Sequence, residues 1–118
     1  MRQAKSQMTK ELRFADGSLT AANPDSIEVW VDVDDNGTGP DSVGEHVIWR
    51  IYNGDLIRYT DNDLDTAVVW VNDLDTSDSS LVLNGRVAEI VLSINVEQGA
   101  TAVLSSRTIE TSVTLRNG

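Results

Sequence analysis

Asn53-Gly54, set between two runs of alternating apolar and polar residues, constrains the fold of this chain more than any other pair. A two-residue turn of type I′ needs positive φ at both central positions, and Asn followed by Gly accepts that with least strain. His46 to Tyr52 and Asp55 to Thr60 flank the pair, so they form an antiparallel hairpin. The same period of two runs through much of the chain. Ile27, Val29, Val31 and Val33 alternate with Glu28, Trp30, Asp32 and Asp34, which predicts a strand with one apolar face. A loop from Asp35 to about Gly44 follows it. Ala67 to Val71 reads as a short apolar strand, Asp73 to Ser80 as a polar loop, and Leu81 to Leu83 as a brief edge strand before Asn84-Gly85. Arg86 to Val96 is the most apolar segment, with Ile90, Leu92, Ile94 and Val96 on one face. A loop around Gly99 leads through Ala102 to Leu104 into the last strand. There Ile109, Val113 and Leu115 alternate with polar neighbours, so the strand is half-buried and built into the sheet.

Only the beginning of the chain has another period. From Arg2 to Ala15, Ala4, Met8, Leu12 and Ala15 fall on one helical face, and Asp16-Gly17 supplies a stop with Gly17 suited to a left-handed cap. So short a helix is marginal alone in water; it must dock or continue a longer helix. Strands joined by short turns pair antiparallel, and one helix covers one sheet face. The expected fold is α+β: a single domain, 1–118, with an N-terminal helix (1–16) packed on an antiparallel β-sheet (26–118). The repeated Asp-Leu-Asp-Thr at Asp63 and Asp73 is too short and acidic to mark an internal repeat.

Charge and composition exclude several functions. With no cysteine, the chain has neither a disulfide framework nor a thiolate metal site. The net charge of −10 would repel a polyanion, which argues against a nucleic-acid partner. Its distribution is uneven: Arg2, Lys5, Lys10 and Arg13 precede Phe14, whereas from Phe14 onward there are 18 acids against 5 bases. No phosphate-binding glycine loop and no G-x-S-x-G stands in the sequence, so catalysis is not expected. His46 has no second histidine for a zinc site and reads as a polar residue at a strand start.

Asp32, Asp34, Asn36 and Gly37 match the opening of a calcium loop, D-x-[DN]-x-[DN]-G, in which alternate oxygens converge on the ion and the glycine permits a sharp bend. The twelfth position, where a bidentate Glu belongs, is Val43, and the nearest acids are Asp41 and Glu45. The competing reading is an Asp/Asn/Gly turn whose side chains bond their own backbone. Asp61, Asp63 and Asp65, or Asp73, Asp75 and Asp78, lack the glycine. Of the three tryptophans, Trp49 shares a face with Val47 and Ile51, Trp70 lies opposite Val69 and Val71, and all read first as buried anchors. Trp30 falls on the face of Glu28 and Asp32, where partial exposure would mark a protein contact.

Four short motifs together resemble the minor pilins and pseudopilins of type IV pili and type II secretion. They are Lys10-Glu-Leu-Arg-Phe-Ala15 closing the helix, the acidic strand and turn from Val29 to Gly37, the hairpin Ile51-Tyr-Asn-Gly-Asp-Leu-Ile-Arg58, and the ending Val113-Thr-Leu-Arg-Asn117. The resemblance implies that Arg2 to Ala15 is the lower end of a longer helix, whose hydrophobic half and processing motif are missing from this sequence. It further implies a subunit held in the bacterial inner membrane, with its globular domain facing the periplasm or exterior and other pilin-like subunits as partners. Arg2, Lys5 and Arg13 would then meet the acidic bodies of neighbours, and the isolated domain would be monomeric or weakly associated. A different class competes with it: a secreted β-rich module whose aromatic and acidic loops bind a sugar or calcium.

Overall fold

The computed structural model describes residues 2–35, 37, 39–40, 43–98 and 103–116, with backbone alone for 95–98 and 103–107. Helix α1 (Arg2–Phe14) presents Ala4, Met8 and Leu12 as a buried stripe, and Ala15 follows them into the core. Burial of that stripe is what holds so short a helix. No left-handed cap follows. Strand β1 (Gly17–Leu19) begins at once, and Gly17 meets a different demand, since a Cβ there would run into the indole nitrogen of Trp30.

Strand β2 (Ser26–Trp30) pairs antiparallel with β1 and with β3 (His46–Tyr52). The run of alternation through Val33 stops being strand at Trp30: Val31 N–H still donates to Glu45 O at 2.9 Å, but the amides after it turn to side chains. Asp32 N–H donates to Asp16 Oδ2 at 2.8 Å and Val33 N–H to Glu45 Oε2 at 3.0 Å. Asn53 and Gly54 turn at φ 52° and 80° into β4 (Asp55–Thr60), as the type I′ reading requires. A second tight turn, Asp61-Asn62 at φ 56° and 57°, opens β5 (Asp63–Val71), which is longer than the Ala67 to Val71 segment expected. Asn and Asp tolerate this conformation without glycine, and the polar Asp63 to Thr66 stretch hid the strand's first half.

The chain then leaves this sheet. Leu74 N–H donates to Gly54 O at 2.8 Å, and Leu74 also bridges to Ile94. Strands β6 (Ser80–Asn84), β7 (Val87–Gln98) and β8 (Val103–Thr114) form a second antiparallel sheet with β7 in the middle. The architecture is thus a five-stranded sheet, ordered β1-β2-β3-β4-β5, and a three-stranded one, ordered β6-β7-β8.

This corrects the expected α+β arrangement of one helix on one sheet: the domain is β-rich, with two sheets and one short N-terminal helix among the described residues. The reason is area. A helix is about 10 Å across and strands are spaced about 4.8 Å apart, so α1 covers roughly two strands. The remaining apolar faces bury against each other. Ile27, Val29, Trp49 and Leu56 from the first sheet and Leu81, Ile90, Leu92 and Val113 from the second join Met8 and Leu12 in one core. β6 touches β2 and β3, while α1 touches β5 and β8. Leu115, just beyond β8, is fully buried, its N–H donating to Arg86 O at 2.7 Å. A smaller cluster of Ile48, Ile57 and Tyr59 is also buried.

Candidate functional site

Two places bring functional side chains together: the acidic loop between β2 and β3, and the outer face of α1.

In the loop, Asp32, Asp34 and Glu45 each bring a carboxylate oxygen within 4.8 Å of the others. Glu45 is fully buried, Asp32 half-buried and Asp34 exposed. The chain folds this way because Glu45 Oε2 accepts from Val33 N–H at 3.0 Å and Asp34 N–H at 3.5 Å, while Asp32 Oδ2 accepts from Gly37 N–H at 2.7 Å. Positive φ at Asp35 (57°) and Gly37 (76°) bends the loop back on itself. Two members of the sequence motif, Asp32 and Asp34, are therefore brought together; the third, Asn36, lies outside the described residues. Glu45, thirteen positions after Asp32, supplies the acid that was looked for at Val43. It stands just before β3 and is one of the two acids nearest the template's twelfth position, offset from it by two residues. Three clustered carboxylates suit a hard oxygen-seeking cation such as calcium, which takes six to eight oxygens (about 2.3–2.6 Å away), so carbonyls or water would complete the shell. The backbone N–H donors to Asp32 and Glu45 also stabilise those charges without an ion.

Trp30, the aromatic candidate for a partner contact, is half-buried beside this loop. A Cβ on Gly39 would come within 2.8 Å of its ring, and one on Gly17 would collide with its nitrogen, so the indole is clasped by two close backbone approaches. His46 is more than a polar strand start. Its Nε2 is 2.7 Å from Glu28 Oε1, and Glu28 Oε2 accepts from Ala22 N–H at 2.6 Å. Glu28 is 3% exposed, so this pair satisfies a buried carboxylate and ties the β1–β2 connection to the sheet.

On α1, the structure places Arg2, Lys5 and Arg13 together with Lys10 on the exposed side, opposite the buried stripe, in company with Phe14 at 56% exposure. Glu11 points the other way. Its Oε1 accepts from Trp49 Nε1 at 2.7 Å and from Arg58 Nε at 2.9 Å, and its Oε2 is 2.8 Å from Arg58 Nη2. Trp49 is fully buried and packs against Trp70 with ring centroids 5.7 Å apart. This clamp fixes the helix to β3 and β4 and so decides which face α1 turns outward. In the sequence Glu11 stands out only as part of the Lys10 to Ala15 motif.

Compared with protein-family models, with curated proteins and with solved structures, the chain matches none.

Proposed function

We propose that this chain is the globular part of a structural subunit of a type IV pilus or a type II secretion pseudopilus, acting in fibre initiation, tip structure or secretion and not as an enzyme. The observation that carries the reading is the two-sided character of α1. Ala4, Met8 and Leu12 are buried in the domain, while Arg2, Lys5, Lys10 and Arg13 are exposed on the opposite side of a chain with net charge −10. A cationic face on an anionic body steers association with further acidic subunits. The short motifs described above add support; the two-sheet, β-rich fold departs from the arrangement of one helix on one sheet expected of such a subunit. No described helix is long and apolar enough to cross a membrane. The proposed attachment to the inner membrane therefore depends on a longer amino-terminal helix that α1 would continue, with the domain in the periplasm or outside the cell.

The test is a deletion strain assayed for piliation, motility and protein secretion, with cross-linking to recover pilin-like partners. Loss of one of these activities is expected. Reversing charge at Arg2, Lys5 and Arg13 together should reproduce the loss while leaving the fold intact. Normal pili and normal secretion, with no pilin-like partner recovered, would sink the proposal.

A second reading is favoured by the convergence of Asp32, Asp34 and Glu45: a β-rich module whose acidic loop is held by calcium. It is the better account if calcium governs stability and the deletion strain assembles and secretes normally.

A further inference from the structure

Among the described strands, β1, β5, β6 and β8 are the sheet edges, and three of them are guarded. Strand β1 is only three residues long, β5 carries Asp63 and Asp65 and shifts register twice against β4, and β8 includes Glu110. Shortness, charge and bulges protect an edge, whose unpaired N–H and C=O groups otherwise accept a strand from another chain. Strand β6 has none of these protections. Its sequence, Ser80-Leu-Val-Leu-Asn84, holds no charge and no proline, and it pairs with β7 without a register shift.

The hairpin decides which groups of β6 face outward. Gly85, at φ 61°, and Arg86 make a two-residue turn closed by Asn84 and Val87. In such a hairpin the closing pair exchanges hydrogen bonds, and every second pair after it does the same. Ser80, Val82 and Asn84 therefore bond to β7, while Leu81 and Leu83 turn their N–H and C=O groups to the open side. No described backbone group bonds them there. A groove of about 470 Å³, lined by Leu81, Val82 and Leu83 with Leu19 and Ile27 across from them, leaves room beside the strand.

We infer that β6 pairs antiparallel with β6 of a second copy, about a two-fold axis at Val82. The strand matches its own reverse. With Val82 opposite Val82, Leu81 falls opposite Leu83 and Ser80 opposite Asn84. The parity is also right, because Leu81 and Leu83 hold the outward backbone groups, so each of the two Leu81–Leu83 pairs exchanges two hydrogen bonds. Leu81 is buried and Leu83 packs against the same core, so the paired strands carry one continuous apolar face. At the ends, exposed Asp78 of one copy comes toward the turn that carries exposed Arg86 of the other, twice by symmetry. A chain of net charge −10 sets acid against acid over most of its surface, and β6 lets two copies meet without that. The contact goes beyond the fibre reading and does not rest on it, since a two-fold contact closes on itself.

A five-residue ladder is a small contact, so the association is weak. Sedimentation velocity of the purified domain should show reversible, concentration-dependent dimers. Val82→Lys sets two ammonium groups against each other at the axis and should weaken the dimer by about fivefold or more. Val82→Thr keeps the branched shape and should leave it within about twofold. Both change an exposed side chain and should keep the wild-type circular dichroism spectrum. The chain has no cysteine, so Val82→Cys supplies a single thiol at the axis. Directly opposed residues of a non-hydrogen-bonded pair lie about 4.5 Å apart at Cα, within reach of a disulfide. Mild oxidation should link Val82→Cys into a covalent dimer and leave Val69→Cys, on the guarded edge β5, monomeric. The inference is overturned if the wild type stays monomeric at millimolar concentration, if Val82→Lys associates as the wild type does, or if the two cysteine variants cross-link at the same rate.

Discussion

Removing the Glu11 carboxylate is the sharpest test of how the helix is held. In Glu11→Ala, Trp49 Nε1 loses its 2.7 Å acceptor in a residue with no exposure, and Arg58 loses a two-oxygen partner. The two losses differ in weight. Arg58 has 28% of its side chain exposed and can turn to water, so its share is small. The Trp49 N–H cannot reach water, and an unsatisfied buried donor costs about 1–3 kcal/mol. A hydrogen bond to a charged group contributes about 1.5–3 kcal/mol. Since these figures overlap, the sum is held to about 3 kcal/mol, at the low end for breaking a buried pair. Glu11→Gln keeps an oxygen for Trp49 and removes the charge, so its loss should be about 1 kcal/mol. Urea unfolding followed by tryptophan fluorescence reads both, with an unchanged slope showing that the unfolded reference is the same. If Ala costs less than about 0.5 kcal/mol, the usual scatter of surface substitutions, or if Gln is as damaging as Ala, the clamp does not hold the helix.

Three further outcomes follow from the same structure. Leu115→Ala should cost about 2–5 kcal/mol, the range for a buried leucine, since Leu115 is fully buried beyond the last strand; an unchanged melting temperature would contradict that placement. Millimolar calcium should raise the melting temperature and a chelator reverse it, because a ligand of the native state stabilises by mass action; Asp34→Ala should lose the effect, and coincident curves would leave the loop as an acidic turn. The Ser77 hydroxyl, donating at 2.7 Å, holds the Asp75 carboxyl below its ordinary 3.8. Asp75 therefore adds stability above that ordinary value, lost as pH falls through the lower native one. Ser77→Ala should move the Asp75 titration upward by NMR, and an unmoved titration would count against the bond.

The hairpin around Asn53-Gly54, the stripe Ala4–Met8–Leu12, and the burial of Val113 and Leu115 could all be read from the sequence. Each is a local pattern in which turn chemistry or side-chain period dictates one outcome. The division into two sheets could not be read, because a period of two says that a strand has one apolar face and nothing about what covers it. That was decided by how little surface a 13-residue helix can cover, which left the second sheet to close the core. The site divides in the same way. Asp32 and Asp34 are two residues apart and were visible together, whereas Glu45 joins them through the return of the loop. Trp49 and Arg58 reach Glu11 across 38 and 47 residues, a distance no local pattern spans. The sequence alone determined the turns, the periods and the uneven charge. Which face of α1 points outward was decided in three dimensions, by a carboxylate whose partners are assembled by packing.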